Sequence, residues 1–129
     1  MKKFLNLWLP PCAWAGFIFY LSGIQSLTTN LGVWDFILRK IAHVSEYFIL
    51  TMLIYRAFKN SFRLKTMWLL AWPVCISLGY ALTDEFHQSF IATRSGNSAD
   101  VVIDAAGIAL FYALLPIFRN AAFLTYGKD

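Results

Sequence analysis

Four runs of mainly apolar residues, at 4–24, 41–58, 67–86 and 101–118, dominate this chain. Each approaches the roughly 20 residues that a helix needs to cross the hydrocarbon core of a bilayer. In that solvent the backbone must satisfy its own hydrogen bonds, which leaves only helices and closed barrels. The runs lack the two-residue alternation of barrel strands. The pattern predicts an all-α membrane protein, a four-transmembrane-helix bundle formed by a single membrane domain over residues 1–129. Composition agrees: 59% of residues are hydrophobic and 14% charged, against about 25% charged in soluble domains. The bilayer itself is the first partner implied.

The net charge of +4 does not point to nucleic acid, because the basic residues are scattered among apolar segments and form no continuous patch. Their distribution reports orientation instead. Lys2, Lys3, Arg56, Lys59, Arg63, Lys65, Arg119 and Lys128 fall on one side, and only Arg39, Lys40 and Arg94 on the other. The bias places both termini in the cytoplasm and the first and third connections outside. Ala13-Trp14-Ala15 has the look of a signal-peptide cleavage site, but the apolar run continues through FIFYLSG, so a retained first helix is expected. Pro10-Pro11 should bend or start that helix, and Pro73 should kink the third. In the first connection, LGVWDFIL predicts a short interfacial helix between helices 1 and 2, anchored at the headgroup level by Trp34. Cys12 and Cys75 read as small buried apolar residues.

Six of the seven acids (Asp35, Glu46, Asp84, Glu85, Asp100 and Asp104) lie in the outward half, together with both histidines, His43 and His87. They come from three different spans. Lys40, His43 and Tyr47 share one face of the second helix, with Glu46 about 60° further round. Asp84, His87 and Gln88 share a face of the third, with Glu85 to its side. Asp100 and Asp104 are one turn apart on the fourth, above Gly107, which leaves room for a close helix neighbour. Burying an ionised carboxylate at a bilayer centre costs about 2.5–3.5 kcal/mol on insertion scales. These groups therefore favour a shared pocket over lipid.

In such a pocket His43, with Asp84 or Glu85, supplies general acid–base chemistry, while Lys40 and Arg94 suit a phosphate or carboxylate headgroup. Glu46, Tyr47, His87, Gln88, Asp100 and Asp104 complete the candidate ligand-binding set. A metal-assisted variant would draw on His43, Glu46, Asp84, Glu85 or Asp104, but no spacing such as H-E-x-x-H supports it. The pattern names no cofactor and no oligomeric state. Structural readings stand beside these: Lys40 and Arg94 as snorkelling anchors, Asp100 as a helix cap, His43 as a satisfied structural histidine. The corresponding whole-protein alternatives are a non-catalytic membrane scaffold locked by its polar cluster, or a small transporter.

The ordered elements FYLSGIQ, RKIAHVSEYFIL and ALTDEFHQSFIATRSGNSADVVIDAAG resemble the VanZ-like family of small bacterial membrane proteins over residues 17–118. The family's Lys-x-x-His-x-x-x-Tyr-x-x-Leu pattern is matched by Lys40, His43, Tyr47 and Leu50. Its second block is matched by Asp84, Glu85, Gln88, Phe90, Arg94, Asp100, Asp104 and Gly107. Two departures are visible: Pro-Gly does not precede Arg94, and Asp104 stands where many members carry Asn. The resemblance implies a multi-pass protein of the bacterial cytoplasmic membrane and a link to glycopeptide (teicoplanin-type) resistance. It implies no defined reaction. A cell-wall lipid intermediate or another anionic amphiphile is the ligand class it suggests.

Overall fold

The computed structural model describes residues 1–24, 32–91, 98–118 and 120–126. Four long helices follow in order: α1 (Lys2–Gly23), α2 (Val33–Ser61), α3 (Thr66–Gln88) and α4 (Ser98–Phe118), with a 3-10 turn at Ala122–Leu124. Among the described residues there is no strand. By length and composition α1, α3 and α4 are apolar enough to cross a membrane. α2 is longer, at 29 residues, and carries Asp35, Arg39, Lys40, His43 and Glu46 in its first half.

Alternating helix directions give the bundle two chemically distinct ends. One gathers the end of α1, the start of α2, the end of α3 and the start of α4. At the other, Trp8 Nε1 donates to Ser61 Oγ at 3.0 Å, and Asn6 Nδ2 donates to the Tyr126 hydroxyl at 3.3 Å. The 3-10 turn is fastened beneath α2: Arg56 Nε donates to the Phe123 carbonyl at 2.8 Å, and Asn60 Nδ2 donates to the Leu124 carbonyl at 3.1 Å.

The outside of the bundle is oily. Phe4, Leu9, Tyr20, Leu82, Val102 and Ile117 are all exposed, as lipid-facing positions should be. The interior is one core of Ile18, Tyr47, Leu50, Ile54, Ala81 and Ile108, with a second about Tyr55, Phe111 and Leu124. Lipid tails are as apolar as leucine, so this interior is held by van der Waals packing and hydrogen bonds rather than by exclusion of water. Three aromatic side chains tie helices together through backbone carbonyls. Trp14 Nε1 donates to Glu46 at 3.0 Å, the Tyr80 hydroxyl to Ala15 at 2.5 Å, and the Tyr112 hydroxyl to Leu70 at 2.7 Å. Thr51 Oγ1 adds a buried bond to Ser77 Oγ at 3.0 Å.

α2 and α4 run in the same direction and touch at Gly107. A methyl group on Gly107 would overlap the Val44 carbonyl oxygen and lie 3.1 Å from both Val44 C and Cα. No side chain fits there, so the sequence expectation for Gly107 holds.

Three expectations need correction. The interfacial stretch is not a separate helix: residues 33–40 are the first turns of a continuous α2 that begins at Gly32, the only described glycine with positive φ, at 53°. Nothing between Trp34 and the second span breaks a helix, so helical hydrogen bonding simply continues. Its apolar character does remain outward, with Val33, Trp34, Phe36 and Leu38 exposed. α1 likewise starts before the prolines and runs through them. Pro11 is buried against the bundle. Cys12 and Cys75 are exposed rather than buried, which suits a thiol facing lipid as well as one in a core.

Gly107→Ala should lower thermal stability in detergent by about 1–3 kcal/mol, the usual range for forced overpacking. Gly16→Ala is the control, since a methyl there meets nothing within 4 Å. It should leave the unfolding temperature unchanged or slightly raised.

Candidate functional site

The Gly107 contact sets a register. One turn above it, Asp104 of α4 lies beside His43 of α2, and Asp104 Oδ1 is 2.8 Å from His43 Nδ1. A further turn up, Lys40 Nζ pairs with Asp100 Oδ1. The two pairs form successive rungs between parallel helices. They differ in exposure: His43 and Asp104 have side chains only 6% and 2% exposed, while Lys40 and Asp100 are at 23% and 15%. The upper rung therefore meets the surface and the lower one does not. Lys40 Nζ also lies 5.1 Å from the centre of the Phe36 ring.

α3 completes the cluster. Asp84 and Gln88 are buried, at 3% exposure each, and Gln88 Nε2 donates to Asp84 Oδ2 at 3.2 Å along the same face. The other oxygen, Asp84 Oδ1, is buried and finds no hydrogen-bond partner among the described residues. An unpaired carboxylate oxygen in a low-dielectric setting is costly.

A cavity of about 60 Å³ joins these groups, walled by Arg39, His43, Glu46, Asp84 and Gln88, with Leu21 and Ser22 of α1. That is room for about two water molecules at liquid density. The Nδ1 atom of His43 is taken by Asp104, which leaves Nε2 as the other ring nitrogen. A carboxylate holding one imidazole nitrogen fixes tautomer and ring orientation for the other.

The remaining candidates divide by distance from this cavity. Tyr47 is fully buried one turn below His43, and its hydroxyl finds no partner among the described residues. Glu85 and His87 are not among the wall residues. The His87 ring stacks on Phe19 of α1, with centroids 4.2 Å apart and planes 16° apart, and so joins α3 to α1. Arg94 lies outside the described residues. Among the described residues no group of three or more His, Cys, Asp or Glu side chains is placed to hold a metal ion.

Reading along the Lys40–His43–Tyr47 face passes over Arg39 and the contribution of α1. The signal for Arg39 is present in the sequence, since Arg39, His43 and Glu46 recur at offsets of four and seven and also share a face. Leu21 and Ser22 carry no comparable signal.

Fold and site together define a small helical membrane protein with a buried polar cluster near one end of its bundle. The family model described as VanZ/LLP1 matches residues 4–119, and the chain belongs to that family. It is also 35% identical, over 100 residues, to the uncharacterized membrane protein YwnJ of Bacillus subtilis (strain 168). That match covers 78% of this chain and 64% of the relative, so the chain spans less than two thirds of the relative's length. No solved structure matches.

The rungs make two stability predictions. Asp104→Asn keeps an acceptor for His43, whereas Asp104→Ala strands a buried imidazole, so Asp104→Ala should be the less stable by about 1–3 kcal/mol. For the upper pair, Asp100→Leu alone should destabilise more than Lys40→Met with Asp100→Leu, since the double change leaves no partnerless charge. Thermal unfolding of the purified variants in one detergent checks both.

Proposed function

We propose that this protein binds the polar head of a cell-envelope amphiphile at the extracytoplasmic face of the bacterial cytoplasmic membrane, and that His43 exchanges a proton with the bound group. In this reading all four helices cross the bilayer, with both termini in the cytoplasm. Support for that orientation comes from the basic residues, which favour the end opposite the His43 cavity. α2 is long enough to span, and its Lys40 and His43 side chains meet Asp100 and Asp104 of α4 instead of lipid.

The observation that carries the reading is the buried His43–Asp104 pair beside a cavity that also holds the unpartnered Asp84 Oδ1. A purely structural lock would satisfy that oxygen within the protein. The cavity, of about 60 Å³, admits a small polar group of the size of one or two waters rather than a whole headgroup. The rest of the head would lie outside it, where Arg39 offers charge to a phosphate or carboxylate, and the tail would stay in the bilayer. His43 acts as acid or base through Nε2, Asp104 holds the ring, and Asp84 accepts a hydrogen bond from the guest. Glu85, away from the wall, serves the site indirectly. A cell-wall lipid intermediate has the required chemistry, and its sequestration or alteration would account for a change in susceptibility to teicoplanin-type glycopeptides.

The scaffold reading is favoured by a different observation: both rungs join α2 to α4 without any ligand. Arg39→Gln and Asp84→Asn separate the two. The binding reading expects near-unchanged unfolding temperatures, loss of amphiphile co-purifying with the protein by mass spectrometry, and loss of any shift in glycopeptide susceptibility on expression. The scaffold reading expects lowered unfolding temperatures and the same co-purified lipids as the parent protein.

A further inference from the structure

At the bundle end opposite His43, a second and larger hollow of about 710 Å³ is walled by Lys3 of α1, by Lys59, Asn60 and Ser61 of α2, and by Arg63 and Tyr126, among others. No acid is among its described wall residues. The hollow is built rather than incidental. Asn60 Nδ2 donates to the Arg56 carbonyl at 2.7 Å as well as to Leu124, and the Tyr126 backbone N–H donates to Asn60 Oδ1 at 2.9 Å. Those bonds hold the chain after α4 across the end of α2. Lys3 Nζ then lies 5.9 Å from the centre of the Tyr126 ring, and Lys59 Nζ lies 6.0 Å from that of Tyr55. Lys3 is thus steered by the face of Tyr126 in the wall, and Lys59 by Tyr55 of the core beneath it.

An apolar groove of about 150 Å³ lies further along the bundle, between Trp8, Cys12 and Ala15 of α1 and Ile54, Ile76 and Tyr80 of the neighbouring helices. Trp8 is the boundary between the two spaces. It lines the groove, its indole N–H donates to Ser61 in the wall of the basic hollow, and its ring meets Phe62 with centroids 6.1 Å apart.

We propose that the hollow and the groove form one site for an anionic phospholipid, with its phosphate against Lys3, Lys59 and Arg63 and one acyl chain passing Trp8 into the groove. Positive hollows at the ends of membrane helices suit phosphate headgroups, and a wholly apolar slot beginning at the same tryptophan suits a tail. A free phosphate ion would use the first space and leave the second without a purpose. The site is separate from the His43 cavity and does not depend on what that cavity binds, nor on which side of the membrane it faces.

The test uses the full chain purified in detergent, with phosphatidylglycerol, phosphatidylcholine or inorganic phosphate added before thermal unfolding. Phosphatidylglycerol should raise the unfolding temperature by about 4 °C or more, and the other two should not. Lys3→Gln with Arg63→Gln, both at exposed positions, should abolish the rise and keep the lipid-free unfolding temperature. Cys12→Trp, which fills the groove, should reduce it. Native mass spectrometry of the unaltered protein should retain phosphatidylglycerol in preference to phosphatidylcholine. Equal stabilisation by phosphatidylcholine, or a full response in the double variant, would overturn the site. An equal effect of inorganic phosphate, or no effect of Cys12→Trp, would overturn the lipid assignment in favour of a soluble anion.

Discussion

The contact between Gly107 and the Val44 backbone is the constraint on which the rest of this molecule depends. Two parallel helices can approach so closely only where one of them has no side chain. Once they do, the residues above the contact are committed to each other: Asp104 meets His43, and Asp100 meets Lys40. Below it, Phe111 packs against both Phe48 and Tyr55. Polar chemistry and apolar packing are thus two consequences of a single register.

Charge in the membrane is tolerated here because it is shared. A carboxylate facing lipid would cost a few kcal/mol even on permissive scales, and α2 carries too many ionisable groups for each to escape separately. Pairing across the α2–α4 seam takes up two of them, Lys40 and His43, together with two carboxylates of α4. Asp84 is the exception. Gln88 satisfies one of its oxygens and nothing in the described protein satisfies the other, and on that imbalance the proposed binding role rests. The two ends of the bundle also differ in kind: one holds a buried cluster of acids with His43 and Lys40, and the other an open basic hollow edged by Tyr126.

Helical periodicity made much of this legible from sequence alone. Lys40, His43 and Tyr47 fall on one face because of their spacing, and Asp100, Asp104 and Gly107 fall on another. The charge balance said that the two faces should meet. Other features were out of reach for identifiable reasons. The first turns of α2 look interfacial by composition, yet continuity of a helix is decided by the absence of a breaker, and composition alone does not weigh that. The exposure of Cys12 depends on how α1 is rotated against α3, which a nearly uniform apolar run does not specify. Fastening of the chain after α4 rests on Arg56 and Asn60, more than 60 residues away, so no local pattern announces it. Arg39 was hidden by its neighbour Lys40, because a charge at a helix end reads equally well as a snorkelling anchor.

The central claim is that His43 and Asp104 are bonded to each other inside the membrane-embedded protein. Solid-state NMR of the chain in lipid bilayers, with ¹⁵N in histidine and ¹³C in the aspartate carboxyl groups, measures this directly. The account predicts a strong coupling between His43 Nδ1 and one carboxyl carbon, consistent with the 2.8 Å separation of nitrogen and oxygen, that disappears in Asp104→Asn. An absent coupling, or one that survives in Asp104→Asn, would contradict the register and the site built upon it.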